Sequence, residues 1–262
     1  MTGPQPVLVT LEDTVLIITL NRPEALNAVD ARVAAGVGDA LALASTDERV
    51  RVVVVTGTGR AFCAGMDLKA YARGEDVAAA EHPEWGFAGL TQHFIDKPVI
   101  AAVNGPALGG GCEIVLACDL AVASSQASFG LPEVKRGLLA GGGGVFRLPR
   151  LLPRRVATEM ILTGDPIPAA DALRYGLVNR VVLPDELLPR TLDLARAICA
   201  NGPLAVRASK RLLTQSSRYG ADWDDEIWQL NDQVTAEVLA SDDSREGALA
   251  FAQKRRPVWT GR

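Results

Sequence analysis

Two stretches of this chain follow one local order. VVVVTGTGRAFCAGMDL (52–68) and PVIAAVNGPALGGGCEIVL (98–116) each run from a strand through a glycine turn and small residues into a helix. Val53 and Ile100 lie 47 residues apart, which fits a structural repeat. The β-branched run VRVVVVT (50–56) is short and unbroken, as expected of a strand covered on both faces. A third, weaker copy starts at Leu120-Ala121-Val122-Ala123 and passes through ASFGLPEVKRGLLAGGGG, and a fourth short strand is expected at 178–183. Such units predict an α/β fold of layered sheets with outer helices.

The flanking sequence completes the pattern. Val7 to Thr10 and Val15 to Leu20 surround Glu12-Asp13 and predict an opening hairpin, Asn21-Arg22-Pro23 breaks the second strand, and Ala31 to Ala44 carries helical spacing, so the start reads ββα. His82-Pro83-Glu84-Trp85-Gly86-Phe87 interrupts the first two copies and predicts a surface loop or lid within 75–90. After Pro184 the pattern changes to successive helices at 185–200, 203–216, 222–240 and 242–253. We divide the chain into a core over residues 1–200 and a helical C-terminal region over 201–262.

Composition excludes several classes. With 262 residues the chain can bury a large core, and a net charge of -4 gives no electrostatic reason to expect a nucleic-acid partner. The four cysteines lack CxxC spacing and there are two histidines, so no metal site is expected and the thiols read as reduced. No stretch of about 18 to 20 apolar residues and no secretory leader is found, so no membrane association and a cytoplasmic location are expected.

The glycine clusters at 57–65, 105–111 and 137–144 contain neither GxGxxG after a strand nor GxxxxGK[ST]. Glycine at the start of a helix lets backbone N–H groups approach an anion, and Met66 N–H and Gly110 N–H are the candidates for a two-donor oxyanion hole. Tight turns and close helix packing explain the same glycines. Glu113 stands in the first turn of a helix starting near 108–110, where the dipole favours its charge and apolar neighbours oppose it. Glu133 follows a strand and Pro132. Singly, each acid reads as a cap or ion-pair member; together on equivalent edges of neighbouring repeats, they suit proton transfer through one water. There is no GxSxG, and Cys112 reads as packing.

Asn21-Arg22-Pro23 with Ala25-Leu26-Asn27-Ala28, GRAFCAGMDL (59–68), PVIAAVNGPALGGGCE (98–113), ASFGLPE (127–133) and 141–148 together resemble the crotonase (enoyl-CoA hydratase/isomerase) superfamily over nearly the whole chain. The resemblance implies a crotonase-like spiral of ββα repeats with a C-terminal helical trimerisation region, assembled as a homotrimer or dimer of trimers. It also implies an acyl-CoA thioester substrate, with coenzyme A as part of that substrate and no tightly bound cofactor. By position, Met66 and Gly110 supply the oxyanion N–H groups, Glu113 and Glu133 match the two hydratase glutamates, and Gly141 N–H helps orient the water. Coenzyme A contacts are implied for Leu26, Ala61, Phe62, Ala64, Gly65, Asp67, Leu68 and Lys69, and for Phe251 and Lys254 from a neighbouring subunit. Met66 stands where alanine is common, and Ala140 where proline is frequent.

The implied reaction is reversible hydration of a 2-enoyl-CoA to a 3-hydroxyacyl-CoA. Isomerisation of a 3-enoyl-CoA and non-catalytic acyl-CoA binding stand as alternatives. DLKA (67–70), GGVFRLPRLLP (143–153), GLVNRVV (176–182) and 246–262 resemble the carnitinyl-CoA dehydratase branch more closely. Its trimethylammonium acyl group would want an aromatic or acidic wall, for which Trp85 and Phe87 are the candidates.

Overall fold

A computed structural model describes residues 5–75, 77–219 and 223–262. Residues 1–4, residue 76 of the expected loop and residue 222 of the expected third C-terminal helix fall outside the described residues. In chain order the elements are β1 (Val7–Glu12), β2 (Val15–Leu20), α1 (Ala31–Thr46), β3 (Val52–Gly57), α2 (Leu68–Ala72), β4 (Val99–Val103), β5 (Ala107–Leu108), α3 (Gly110–Ala117), β6 (Leu120–Ser124), β7 (Ser128–Gly130), α4 (Gly144–Leu151), α5 (Arg154–Thr163), β8 (Ile167–Pro168), α6 (Ala169–Tyr175), β9 (Arg180–Val182), α7 (Leu187–Cys199), α8 (Pro203–Ser216), α9 (Asp225–Leu239) and α10 (Asp242–Ala252).

The hairpin is present, with β1 antiparallel to β2 around Asp13 at φ 54°. From β2 onward every neighbour is parallel, in the order β1-β2-β3-β4-β6-β9. The valines of β3 alternate between two cores. Val53 and Val55 face the larger one with α1, whereas Val52 and Val54 face Leu187, Leu192 and Ala195 of α7. Burial on both sides is why the run needs no polar alternation. Helix α7 thus belongs to the sheet, and α8 to α10 follow it.

Each repeat also contributes to a second, inner ladder. After β2 comes Val29, bridged to Met66; after β3 comes Cys63, bridged to Ala107; after β4 comes β5, paired with β7; and β7 pairs with β8. This ladder turns the strand–turn–helix repeat into a crotonase-like α/β spiral, with the glycine turns of successive units side by side.

The segment expected as a loop or lid is tied to α1. Trp85 stacks between His82 (3.9 Å between centroids) and His93 (4.5 Å), and its ring fills the space where a β-carbon on Gly38 would stand. Ala88 is fully buried, and Gly89 has φ 66° with its Cα so close to α1 that an added β-carbon would lie 2.1 Å from the Ala34 carbonyl oxygen. Backbone cannot yield to that collision as a side-chain tip can. Gly89→Ala is therefore expected to destabilise the fold by about 2 kcal/mol or more in urea denaturation; an unchanged midpoint would mean that this segment is not anchored as described.

Candidate active site

The inner ladder sets two glycine turns back to back. Gly65 has φ 92°, and a β-carbon there would lie 2.9 Å from both Gly110 N and the Leu108 carbonyl oxygen. Only glycine tolerates both the left-handed backbone and the contact. The ladder is closed by Leu108 N–H donating to Cys63 O (3.0 Å), and by Gly109 N–H donating to Gly130 O (2.9 Å). On the outer side, Val29 N–H donates to Gly65 O and Asp67 N–H to Val29 O, at 2.8 and 2.9 Å. Met66 N–H, between them, points away from that bridge, and Gly110 N–H opens α3 where no preceding carbonyl is in helical register. Among the described residues neither N–H has a protein acceptor.

Both turns are braced by polar anchors. Buried Asn27 accepts from Arg22 N–H and donates to the Thr58 and Ala61 carbonyls, each at 2.9 Å. Arg22 donates to the Ala28 carbonyl at 2.6 Å and to Asp67 at 2.9 Å. Asp67 in turn caps α2 through Lys69 N–H and Ala70 N–H.

Glu113 is 3% exposed. Its Oε1 accepts from Gly144 N–H at 2.8 Å, and Gly142 N–H adds a second interaction. Burial outweighs these donors and pushes its pKa up to about 7, with nearby Glu133 raising it and Arg147 opposing. The conflict between helix dipole and apolar surroundings is thus decided by desolvation. Glu133, second residue of the 3-10 turn Pro132–Arg136, carries its Oε1 3.3 Å from where a β-carbon on Gly109 would stand. Its Oε2 is buried and has no hydrogen-bond partner among the described residues, and burial raises its pKa as well. The Glu113 carboxylate is thus anchored on the 142–144 backbone, and the Glu133 carboxylate lies beside Gly109 with one oxygen unpaired among the described residues.

These groups line one cleft of about 1090 Å³. Its wall includes Leu26, Ala64, Gly65, Met66, Asp67, Leu68, Lys69, Gly110, Glu113, Glu133 and Gly141 from the sequence expectations, together with Phe87, Gln92, Arg136, Leu138, Leu139 and Gly142. A second cavity of about 240 Å³, lined by Glu48, Arg51, Lys97 and Arg207, contains neither Glu113 nor Glu133 and neither of the two glycine turns. Among the described residues, no group of three or more His, Cys, Asp or Glu side chains could hold a metal, and no helix is long and apolar enough to cross a membrane.

Several expectations need correction. Ala61 and Phe62 do not line the cleft: Phe62 is fully buried in the core, and the Ala61 carbonyl is taken by Asn27 and Asn104. Gly141 N–H is turned inward onto the Leu139 carbonyl (2.8 Å), and the N–H groups beside Glu113 belong to Gly142 and Gly144. Trp85 is absent from the wall because its ring is committed to the histidine stack and Gly38; Phe87 alone of that pair reaches the cleft. Phe251 and Lys254, expected to serve a neighbouring subunit's site rather than this one, are exposed at the end of α10 outside this cleft and need no such correction. Gly144 and Arg147 lie in the GGVFRLPR stretch but carry no site signal in the sequence, because only the tertiary structure shows what a glycine N–H or an arginine faces.

A raised carboxyl pKa has a defined sign. The folded state holds the Glu113 proton more tightly than the unfolded chain, so its contribution to stability falls as pH rises from 4.5 towards about 7. Glu113→Gln keeps an acceptor for Gly144 N–H but cannot ionise. Its stability relative to wild type should grow between about pH 5 and pH 8, by up to about 3 kcal/mol in urea denaturation; a pH-independent difference would mean that Glu113 titrates normally.

The enoyl-CoA hydratase/isomerase family model matches residues 10–262. Carnitinyl-CoA dehydratase from Escherichia coli O157:H7 is 44% identical over 258 residues, 97% of each chain, and the enzyme of that name from Salmonella typhi is 45% identical over the same coverage. Among solved structures, an enoyl-CoA hydratase from Mycobacterium tuberculosis H37Rv superposes with a TM-score of 0.93 at 48% identity, covering 98% of this chain and 100% of that one. A carnitinyl-CoA hydratase from Mycobacterium avium is 52% identical with a TM-score of 0.78, covering 99% and 100%. With the spiral, the paired turns and the two acids in place, the chain belongs to the enoyl-CoA hydratase/isomerase family.

Proposed function

We propose that the protein is a hydro-lyase that reversibly adds water across the 2,3 double bond of an enoyl-CoA. The observation that carries this reading is the pair Glu113 and Glu133 lining one cleft together with Met66 and Gly110. The thioester oxygen is received by Met66 N–H and Gly110 N–H. Addition of water oxygen to C3 moves electron density onto that oxygen, so both donors bind the enolate more strongly than the substrate. Glu113, poised near neutrality, accepts a proton from the water; Glu133 supplies the proton that C2 gains, and the product is a 3-hydroxyacyl-CoA. The larger Met66 side chain shapes the acyl end without removing the N–H, and Lys69 with Leu26 and Leu68 serves the coenzyme A end.

A specific observation favours a second reading of the acyl group. The carnitinyl-CoA dehydratases at 44–45% identity suggest a trimethylammonium head. Phe87 is the one aromatic ring among the described lining residues, and the Arg136 cation shares the cleft, which makes a weak cage for a quaternary ammonium. We therefore put an uncharged enoyl chain first. Assembly as a trimer or dimer of trimers is part of the same proposal, with Phe251 and Lys254 completing the coenzyme A site of a neighbouring copy.

Crotonyl-CoA should lose its conjugated-thioester absorbance on incubation with the protein, and Glu113→Gln and Glu133→Gln should each lower kcat by about a hundredfold or more. Conversion of a 3-enoyl-CoA without hydration would identify an isomerase instead, and thioester binding without turnover a binding protein. Between head groups, kcat/KM is expected to be higher for crotonyl-CoA than for crotonobetainyl-CoA; the reverse order would install the charged substrate.

A further inference from the structure

Glu113 is held by a loop, and the loop is held by one side chain. Arg147, in the first turn of α4, donates from one guanidinium nitrogen to the Gly142 carbonyl (3.0 Å) and from the other to the Thr91 carbonyl (2.6 Å). The first bond fixes the peptide between Gly142 and Gly143. That peptide lies inside the loop whose Gly142 and Gly144 N–H groups face Glu113. The second bond ties the loop to the segment carrying Phe87 and Gln92, which itself is anchored on α1. The planar fork of arginine can span two carbonyls at set directions, which a single ammonium reproduces poorly.

The guanidinium is half-buried, and its hydrogen bonds go to neutral carbonyls rather than to a carboxylate. Its positive charge therefore acts on Glu113 without being neutralised locally. The other charged or titratable groups that act on this pair are Glu133 from the 3-10 turn, Cys112 beside Glu113, Cys118 at the end of α3 and Arg150 in α4; Arg136 acts on Glu133.

We propose that Arg147 is a positioning residue: it locks the 141–144 loop against the 82–93 segment so that the loop N–H groups meet Glu113, and it keeps that carboxylate available as the base. The claim about the base rests on the hydratase reading; the claim about the carboxylate's surroundings does not.

The test uses Arg147→Gln and Arg147→Lys in the full chain, with thermal unfolding as the check of folding. The Glu113 carboxyl is titrated by isotope-edited infrared spectroscopy, its band assigned with Glu113→Gln, and kcat and KM for crotonyl-CoA are followed against pH. In Arg147→Gln the Glu113 titration should move upward by about one pH unit or more. Its kcat should fall about tenfold further at pH 6 than at pH 9, with KM little changed. Arg147→Lys keeps a charge but cannot span both carbonyls, so its Glu113 titration and pH profile should move in the same direction by a smaller amount, and its kcat should recover only in part. An unmoved titration, or a kcat lowered by one factor at every pH, would overturn the proposal, since a merely structural role predicts that outcome. If the glutamine variant does not fold, the lysine variant decides: a displaced pH profile supports the positioning role, and a profile lowered in parallel overturns it. A wild-type protein that hydrates nothing would refute the hydratase reading, and the infrared titration would then judge Arg147 alone.

Discussion

The contact between two stretches of backbone, Cys63–Met66 and Leu108–Gly111, organises everything else at the cleft. Gly65 lies so close to Gly110 N and Leu108 O that no side chain fits between them, and a β-carbon on Gly111 would lie 2.1 Å from Cys63 O. Side-chain packing alone would leave the two turns too far apart for their N–H groups to share an acceptor. Glycine on both turns permits the approach, and the inner ladder, with the Arg22 and Asn27 anchors behind it, holds it.

Around that contact the two glutamates occupy different settings. Glu113 is deeply buried yet receives backbone donors from another repeat, and the balance leaves its pKa near 7. Glu133 is half-buried, with an oxygen that no donor among the described residues reaches. A desolvated carboxyl exchanges protons near neutral pH more readily than one in a surface ion pair, because both of its protonation states remain accessible. Such sites are costly to fold, since buried acid and unpaired N–H groups destabilise the chain unless ligand or water satisfies them. The unbroken apolar strands, covered on both faces, offset that cost.

The 82–93 segment connects these features. Trp85 in its histidine stack and Gly89 on α1 hold it, Phe87 reaches over Gly110, and Thr91 receives Arg147. Through Arg147 the same segment meets the loop that carries the Glu113 donors. Wall, glycine turn and buried acid are thus parts of one connected assembly rather than independent loops.

Much of this was legible in the chain itself. The runs at 15–20, 52–57 and 99–103 are apolar and rich in β-branched residues, and they end in or are followed by turn formers (Asn21-Arg22-Pro23, Gly57, Asn104-Gly105), so strand identity, the opening hairpin and the strand–turn–helix period followed from local chemistry. The resemblance pointed to Glu113, Glu133, Met66 and Gly110, and these positions meet at one cleft. Local sequence was silent on direction: which N–H of Gly141 to Gly144 faces Glu113, whether Trp85 or Phe87 enters the cleft, and where Phe62 points depend on partners tens of residues away. The pKa of Glu113 is of the same kind, since a helix N-terminus and an apolar neighbourhood pull oppositely and only the depth of burial decides between them. The sequence by itself determined the repeat and the residues able to do chemistry, because periodicity and side-chain type are local. The tertiary structure alone decided which hydrogen bonds those residues make, because each is set by the stacking of one repeat on the next.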